Sequence, residues 1–222
     1  MARLGLFPLR TVLMPGAALQ LHIFEDRYKT MIGGCIESGD AFGVLLDRRG
    51  QETGDDLDPV DVGTTALITD VTRLPDGRMD IVTRGERRFK VERVTDKKPF
   101  WSAEVSYLEE PIGSGDASPL QAIAAERFTD YLQALLALFG RELESIRMPD
   151  DTTAASYLIA DAMQVDGAVK QRLLEAPSSL ERLRAEMVLL EAETRRLRAL
   201  AAAGARAAAS HGESPRFRFS LN

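Results

Sequence analysis

The sequence changes character near residue 110, and this change limits the fold more than any other feature of the chain. Before it, short β-prone runs are punctuated by Gly, Pro and Asp; after it, Ala, Leu, Glu and Arg dominate. The first pattern suits strands joined by tight turns and the second suits long helices. Between them lies Glu109-Glu110-Pro111-Ile112-Gly113-Ser114-Gly115-Asp116-Ala117-Ser118-Pro119, with the composition of a linker. The expectation is an α+β chain with its two kinds of structure segregated. A β-rich unit is expected over residues 1–110, a helical unit over 119–206, and a tail over 207–222.

In the first half, Leu4 to Leu9 and Ala18 to Phe24 read as strands separated by a Met14-Pro15-Gly16 turn. One helix interrupts them: Tyr28, Met31, Ile32, Cys35 and Ile36 follow the spacing of a single apolar helix face. Ala41 to Leu46 reads as a buried strand, followed by an acidic loop, Glu52 to Asp61. The clearest β signal runs from Leu67 to Val94, with a tight turn at Asp76-Gly77. Trp101, Ala103, Val105 and Tyr107 alternate with Ser102, Glu104 and Ser106, so one face of that strand packs inward. Short hairpin-connected strands of this kind favour a small twisted barrel or two packed sheets.

The second half reads as helices over Leu120 to Phe139, from the Asp150-Asp151-Thr152-Thr153 caps to Met163, and over Ala168 to Glu175. A last, long helix is expected from Ser178-Ser179 to about residue 204. Along it Leu180, Leu183, Met187, Leu190, Leu197 and Ala201 form an apolar seam, with Thr194 reading as a break. The preceding helices are the simplest cover for that seam; a partner chain is the other.

Chemistry is hard to find. His22, His211 and Cys35 are the only residues of their types, too few for an N/S-ligated zinc site, and no metal or other cofactor is expected. Read from Asp55, the acidic loop lacks the Gly at the sixth position and the Glu at the twelfth that a calcium-binding EF-hand loop requires. None of the five lysines follows a glycine, so no Walker loop exists, and Gly-x-Gly-x-x-Gly and Gly-x-Ser-x-Gly are missing too. Cys35, on an apolar helix face, reads as a structural thiol. With one cysteine no intramolecular disulfide can form, and no run approaches the roughly 20 apolar residues of a membrane span. A cytoplasmic, non-enzymatic protein is expected.

The formal net charge of −6 works against nucleic acid as a partner. One basic cluster stands out in residues 84–98, with Arg84, Arg87, Arg88, Lys90 and Arg93 as a candidate anion or RNA patch. Interleaved Glu86, Glu92 and Asp96 dilute it, and the plainer reading is the solvent face of a strand.

Several ordered blocks carry a resemblance. Phe7-Pro8-Leu9-Arg10, Val12-Leu13-Met14-Pro15-Gly16 and Leu19-x-Leu21-x-Ile23-Phe24-Glu25-x-Arg27-Tyr28 open the chain. Phe42-Gly43-Val44, Val62-Gly63-Thr64-x-Ala66-x-Ile68, Leu74-Pro75-Asp76-Gly77-Arg78 and Gly85-x-Arg87-Arg88-Phe89-x-Val91 follow, then Lys170 to Pro177 in the helical half. Together, over residues 4 to 200, they resemble the N-terminal domain of Lon proteases, here as a free-standing version without the ATPase and peptidase modules. The resemblance implies a PUA-like β pseudo-barrel with one inserted helix, followed by a C-terminal helical subdomain ending in a long helix. It implies a non-catalytic binding module for peptides or unfolded protein segments, with a protease or chaperone as a conceivable partner. RNA binding through residues 84–98 is the alternative, because PUA-like barrels include RNA readers. Candidate peptide contacts are Met14 and Pro15 at their turn and Trp101 beside Pro99 and Phe100; all three could equally be packing residues. A monomer or weak homo-oligomer is expected.

Overall fold

The computed structural model describes residues 2–49 and 58–211, and most of the acidic loop and the end of the tail lie outside the described residues. Six strands and five helices follow one another as β1 (Ala2–Leu9), β2 (Ala18–Ile23), α1 (Asp26–Ser38), β3 (Phe42–Leu46), β4 (Val62–Arg73), β5 (Met79–Asp96) and β6 (Trp101–Tyr107). The helices α2 (Ala117–Ala137), α3 (Thr152–Ala162), α4 (Gly167–Leu174) and α5 (Ser179–His211) complete the chain. The segregated α+β architecture expected from the sequence is the one observed.

The sheet order is β2-β5-β4-β3-β1-β6, and β6 also pairs with β5. Strands β1, β3, β4, β5 and β6 therefore close on themselves, while β2 is added against the first half of β5. Closure removes most sheet edges, the common solution for small β structures. The 18-residue β5 serves both the closed ring and the β2 flap because bulges bend it and its neighbours: pairing shifts between Thr64 and Ala66, Ile68 and Asp70, and Val91 and Arg93. Phe89 fills the ring and is fully buried. Gly43 and Gly63 make room for it, since a Cβ on Gly43 would lie 2.7 Å from the Phe89 ring and one on Gly63 2.2 Å from the Val44 carbonyl oxygen.

Helix α1 packs Tyr28, Met31 and Ile32 onto Phe7, Leu13, Phe42 and Ile81, with Cys35 and Ile36 at the margin of this cluster. In the helical half, α2 and α5 enclose Ala124, Phe128, Tyr131, Leu180, Leu183, Leu190 and Leu197. The apolar seam of α5 is thus covered within the chain. Thr194 does not break that seam: it is buried, as are Arg182 and Glu186 on the same helix.

The segment between the halves is no loose linker. Pro111 and Ile112 accept backbone hydrogen bonds from Ser179 and Leu180, 3.0 and 2.9 Å long, and Glu109 and Glu110 enter a buried network. At its centre Arg88, from β5, donates five hydrogen bonds: two to the Glu110 carboxylate and one each to the carbonyls of Glu109, Leu174 and Ala176. These use every N–H of the guanidinium. Beside it, fully buried Arg182 bonds the Leu173 carbonyl, Ser156 and the Tyr157 hydroxyl, each at 2.9 Å, and its guanidinium lies 3.8 Å over the Tyr157 ring. Tyr157 in turn donates to Glu110 at 2.7 Å. A second strap runs from the Gln171 amide on α4 to the Val62 carbonyl on β4.

Candidate functional site

Helix α1 stops at Gly39, whose left-handed backbone (φ 75°) returns an N–H to the Cys35 carbonyl. The chain then enters β3, which pairs with β4 only between Phe42–Val44 and Thr64–Ala66. Strand β4 continues to Arg73, with β5 along one side. Along its other side, among the described residues, no strand pairs with Leu67–Val71 and no backbone hydrogen bond joins them to α1. An open sheet edge offers unpaired N–H and C=O groups to any extended chain that reaches it.

A groove of about 250 Å³ follows this edge, lined by Cys35, Ile36, Gly39 and Asp40 on one bank and Leu67–Val71 on the other. Its floor is apolar: Cys35, Ile36, Ile68 and Val71 all pack on the barrel core. The charged residues that line it are Asp40 and Asp70, both exposed. Thr69, the extra residue of the bulge, directs its hydroxyl to the Val82 carbonyl at 3.1 Å. Pockets for drug-sized molecules are typically about 300–1,000 Å³, so this smaller groove suits one or two side chains of a polymer. Burial, with Asp40 adding to it, pushes the Cys35 thiol above its ordinary pKa, which keeps it protonated and a poor nucleophile.

A second concavity, about 370 Å³, lies between Arg10–Val12 and Met163–Gly167 with Lys170. It joins the two halves of the molecule, but its charged residues, Arg10, Asp166 and Lys170, are of both signs. Lys170 donates to the Asp161 carbonyl at 2.6 Å, and burial lowers its pKa.

The residues singled out from the sequence do not meet at one place. Met14 is fully buried with Val12, Tyr157, Leu173 and Leu174 where barrel and helices join, so it offers no surface to a peptide. Pro15 is half-buried beside it. Trp101 belongs to another cluster, with Leu4, Leu45, Phe89 and Val105, and the Lys97 ammonium lies 4.6 Å over its ring. The basic group is also divided. Arg88 is buried against the helical half, Arg93 is paired with Glu104 at 2.7 Å, and Arg87 stacks on Tyr107 at 4.1 Å. Arg84 and Lys90 are exposed. The groove itself was not singled out from the sequence, which placed Cys35 and Ile36 only on an apolar helix face. The one local sign was the adjacent pair Leu67-Ile68, which breaks strict alternation where β4 bulges.

Residues 3–192 match the family model of the ATP-dependent protease La (LON) substrate-binding domain. The chain belongs to that family. The Lon protease of Escherichia coli strain K12 is 31% identical over 133 residues, which make up 60% of this chain and 17% of that protein. The Lon protease of Buchnera aphidicola subsp. Baizongia pistaciae is 24% identical over 189 residues, 84% of this chain and 24% of that protein. This Lon-family chain therefore spans less than a quarter of the length of these relatives. Among solved structures, a Lon N-terminal domain protein from Xanthomonas campestris superposes with a TM-score of 0.63 at 26% identity, covering 83% of this chain and 96% of that one. The N-terminal domain of Mycobacterium avium complex Lon protease gives 0.60 at 21% identity, covering 86% and 98%, and attests the fold. No helix among the described residues is long and apolar enough to cross a membrane.

Proposed function

We propose that this chain is a non-catalytic recognition module that captures extended segments of unfolded protein along the open edge of β4. The observation that carries the reading is the pairing of that free edge, Leu67–Val71, with an apolar groove under it. Backbone hydrogen bonds supply affinity that is indifferent to sequence, and the groove adds burial of alternate side chains. Folded proteins present few unpaired extended segments, so such a site discriminates unfolded from folded clients. Membership of the Lon substrate-binding family supports the same assignment, and a protease or chaperone that receives the captured segment is the partner it fits. Residues 1–110 supply the groove, and residues 119–206 brace the barrel through the Leu174 and Ala176 carbonyls, which accept from Arg88, and the Gln171 amide, which donates to Val62. Capture of this kind uses no cofactor.

Fluorescence anisotropy tests the proposal with a labelled client in two forms, native and reduced-carboxymethylated, alongside single-stranded RNA of similar length. Binding of the unfolded client alone is expected. Equal binding of native and unfolded client, or binding of RNA alone, would overturn the proposal.

A further inference from the structure

We infer that the β4 groove selects extended segments in which Arg or Lys alternates with apolar residues. The inference rests on the capture reading and narrows it to a class of substrate. A strand added to the Leu67–Val71 edge places alternate side chains on opposite faces, with every second residue about 6.6–6.8 Å along. One set descends onto Cys35, Ile36, Ile68 and Val71, which reward apolar side chains. The intervening set stands at the rim, where the charged residues are Asp40 and Asp70.

These two carboxylates differ from several other acidic residues on the barrel. Asp96 is paired with Arg3, Glu104 with Arg93, Asp58 with Arg48, Asp76 with Arg78 and Glu25 with Arg27. Asp40 and Asp70 have no ion-pair partner among the described residues, and the groove is lined by no cation. Two uncompensated carboxylates flanking an apolar floor make a rim that attracts cationic side chains and repels acidic ones. Each exposed ion pair changes affinity by roughly two- to fivefold, so two together set a preference of about tenfold.

The test uses the full chain and two fluorescein-labelled peptides, Ser-Arg-Phe-Arg-Phe-Arg-Ser and Ser-Glu-Phe-Glu-Phe-Glu-Ser. Anisotropy titrations are run on wild type and on the Asp40→Lys, Asp70→Lys double variant. Both positions are exposed and outside the core, so the variant is expected to melt like wild type. The Arg peptide should bind wild type about tenfold more tightly than the Glu peptide, with the gap closing at high salt and reversing in the double variant. Equal affinities in wild type, or a ratio that the double variant leaves unchanged, overturn the inference. If an uncharged unfolded client still binds in that case, the capture reading survives and only the substrate class is wrong. If wild type binds neither peptide nor client, both fall.

Discussion

Replacing Arg88 by Ala tests whether the barrel and the helical half form one cooperative unit. Arg88 is 2% exposed and donates two hydrogen bonds to Glu110 and three to the carbonyls of Glu109, Leu174 and Ala176. Removing one member of a buried ion pair costs about 3–5 kcal/mol, because its partner stays behind without compensation. The Glu110 side chain is 32% exposed and keeps its bond from Tyr157, so water and the phenol recover part of that loss. The three orphaned carbonyls add to it, at about 1–3 kcal/mol for each one that water cannot reach. A total of about 4 kcal/mol is expected. Urea unfolding reads this with two local probes. Trp101, the only tryptophan, reports the barrel by fluorescence, and far-ultraviolet dichroism reports chiefly the helices. Wild type should unfold in one transition with coincident probes; Arg88→Ala should shift the midpoint and separate the two curves. Arg88→Lys restores charge but has three donors on one atom and cannot reach both sides, so it should recover less than half. An Arg88→Ala protein within about 1 kcal/mol of wild type, with coincident probes, would refute this view of the junction.

Glu186 has no hydrogen-bond partner for either carboxylate oxygen among the described residues, and burial pushes its pKa well above the ordinary value of 4.5 despite nearby Arg182. The folded state therefore holds this proton more tightly than the unfolded state. Its stabilising effect is complete below about pH 4.5 and is lost as pH rises towards the folded value, so Glu186→Gln should gain on wild type in denaturation midpoints measured from pH 4.5 upward. A constant difference across that range would exclude the linkage. Leu190, fully buried between α2 and α5, should cost about 2–5 kcal/mol when cut to Ala, without change of oligomeric state by light scattering. Dissociation of a native dimer in place of lost stability would mark the seam as an interface between chains. Gly63→Ala should lose about 1–3 kcal/mol or more in thermal unfolding, since its Cβ would meet the Val44 carbonyl oxygen at 2.2 Å, a backbone atom that cannot swing away. A wild-type melting curve would show that the ring accommodates a methyl group at this position.

The two-part architecture was legible because each half obeys its own period. Tyr28, Met31 and Ile32 lie on the buried face that their spacing indicates, and the Asp76-Gly77 turn is closed by Gly77 in the left-handed region at φ 81°. Helix α5 was placed by its leucines, but Thr194 was misread as a break and Glu186 was passed over. Glu186 falls three residues after Leu183 and four before Leu190, a core position by spacing that its charge disguised. Thr194, four residues after Leu190 and three before Leu197, is buried for the same reason. Arg88 was grouped with solvent-facing basic residues because it lies on the face of β5 opposite Phe89, and period-two counting cannot see that the Leu174 and Ala176 carbonyls of the helical half cover that face. The segment at 109–112 looked like a linker by composition, yet its carbonyls and carboxylates are the acceptors that Arg88, Ser179 and Leu180 require. The groove was invisible for a different reason. It exists where β3 starts late and leaves Leu67–Val71 without a partner, a property of pairing between distant segments rather than of either one.

Amide hydrogen exchange resolved by residue, with and without a saturating unfolded client, tests capture at the β4 edge most directly. Exchange of Leu67–Val71 should slow on binding, because a client strand would satisfy the N–H groups that face the open side. The cleft between Arg10–Val12 and Met163–Gly167 should exchange as before. Protection confined to that cleft, or none at Leu67–Val71 while client is demonstrably bound, would contradict capture at this edge.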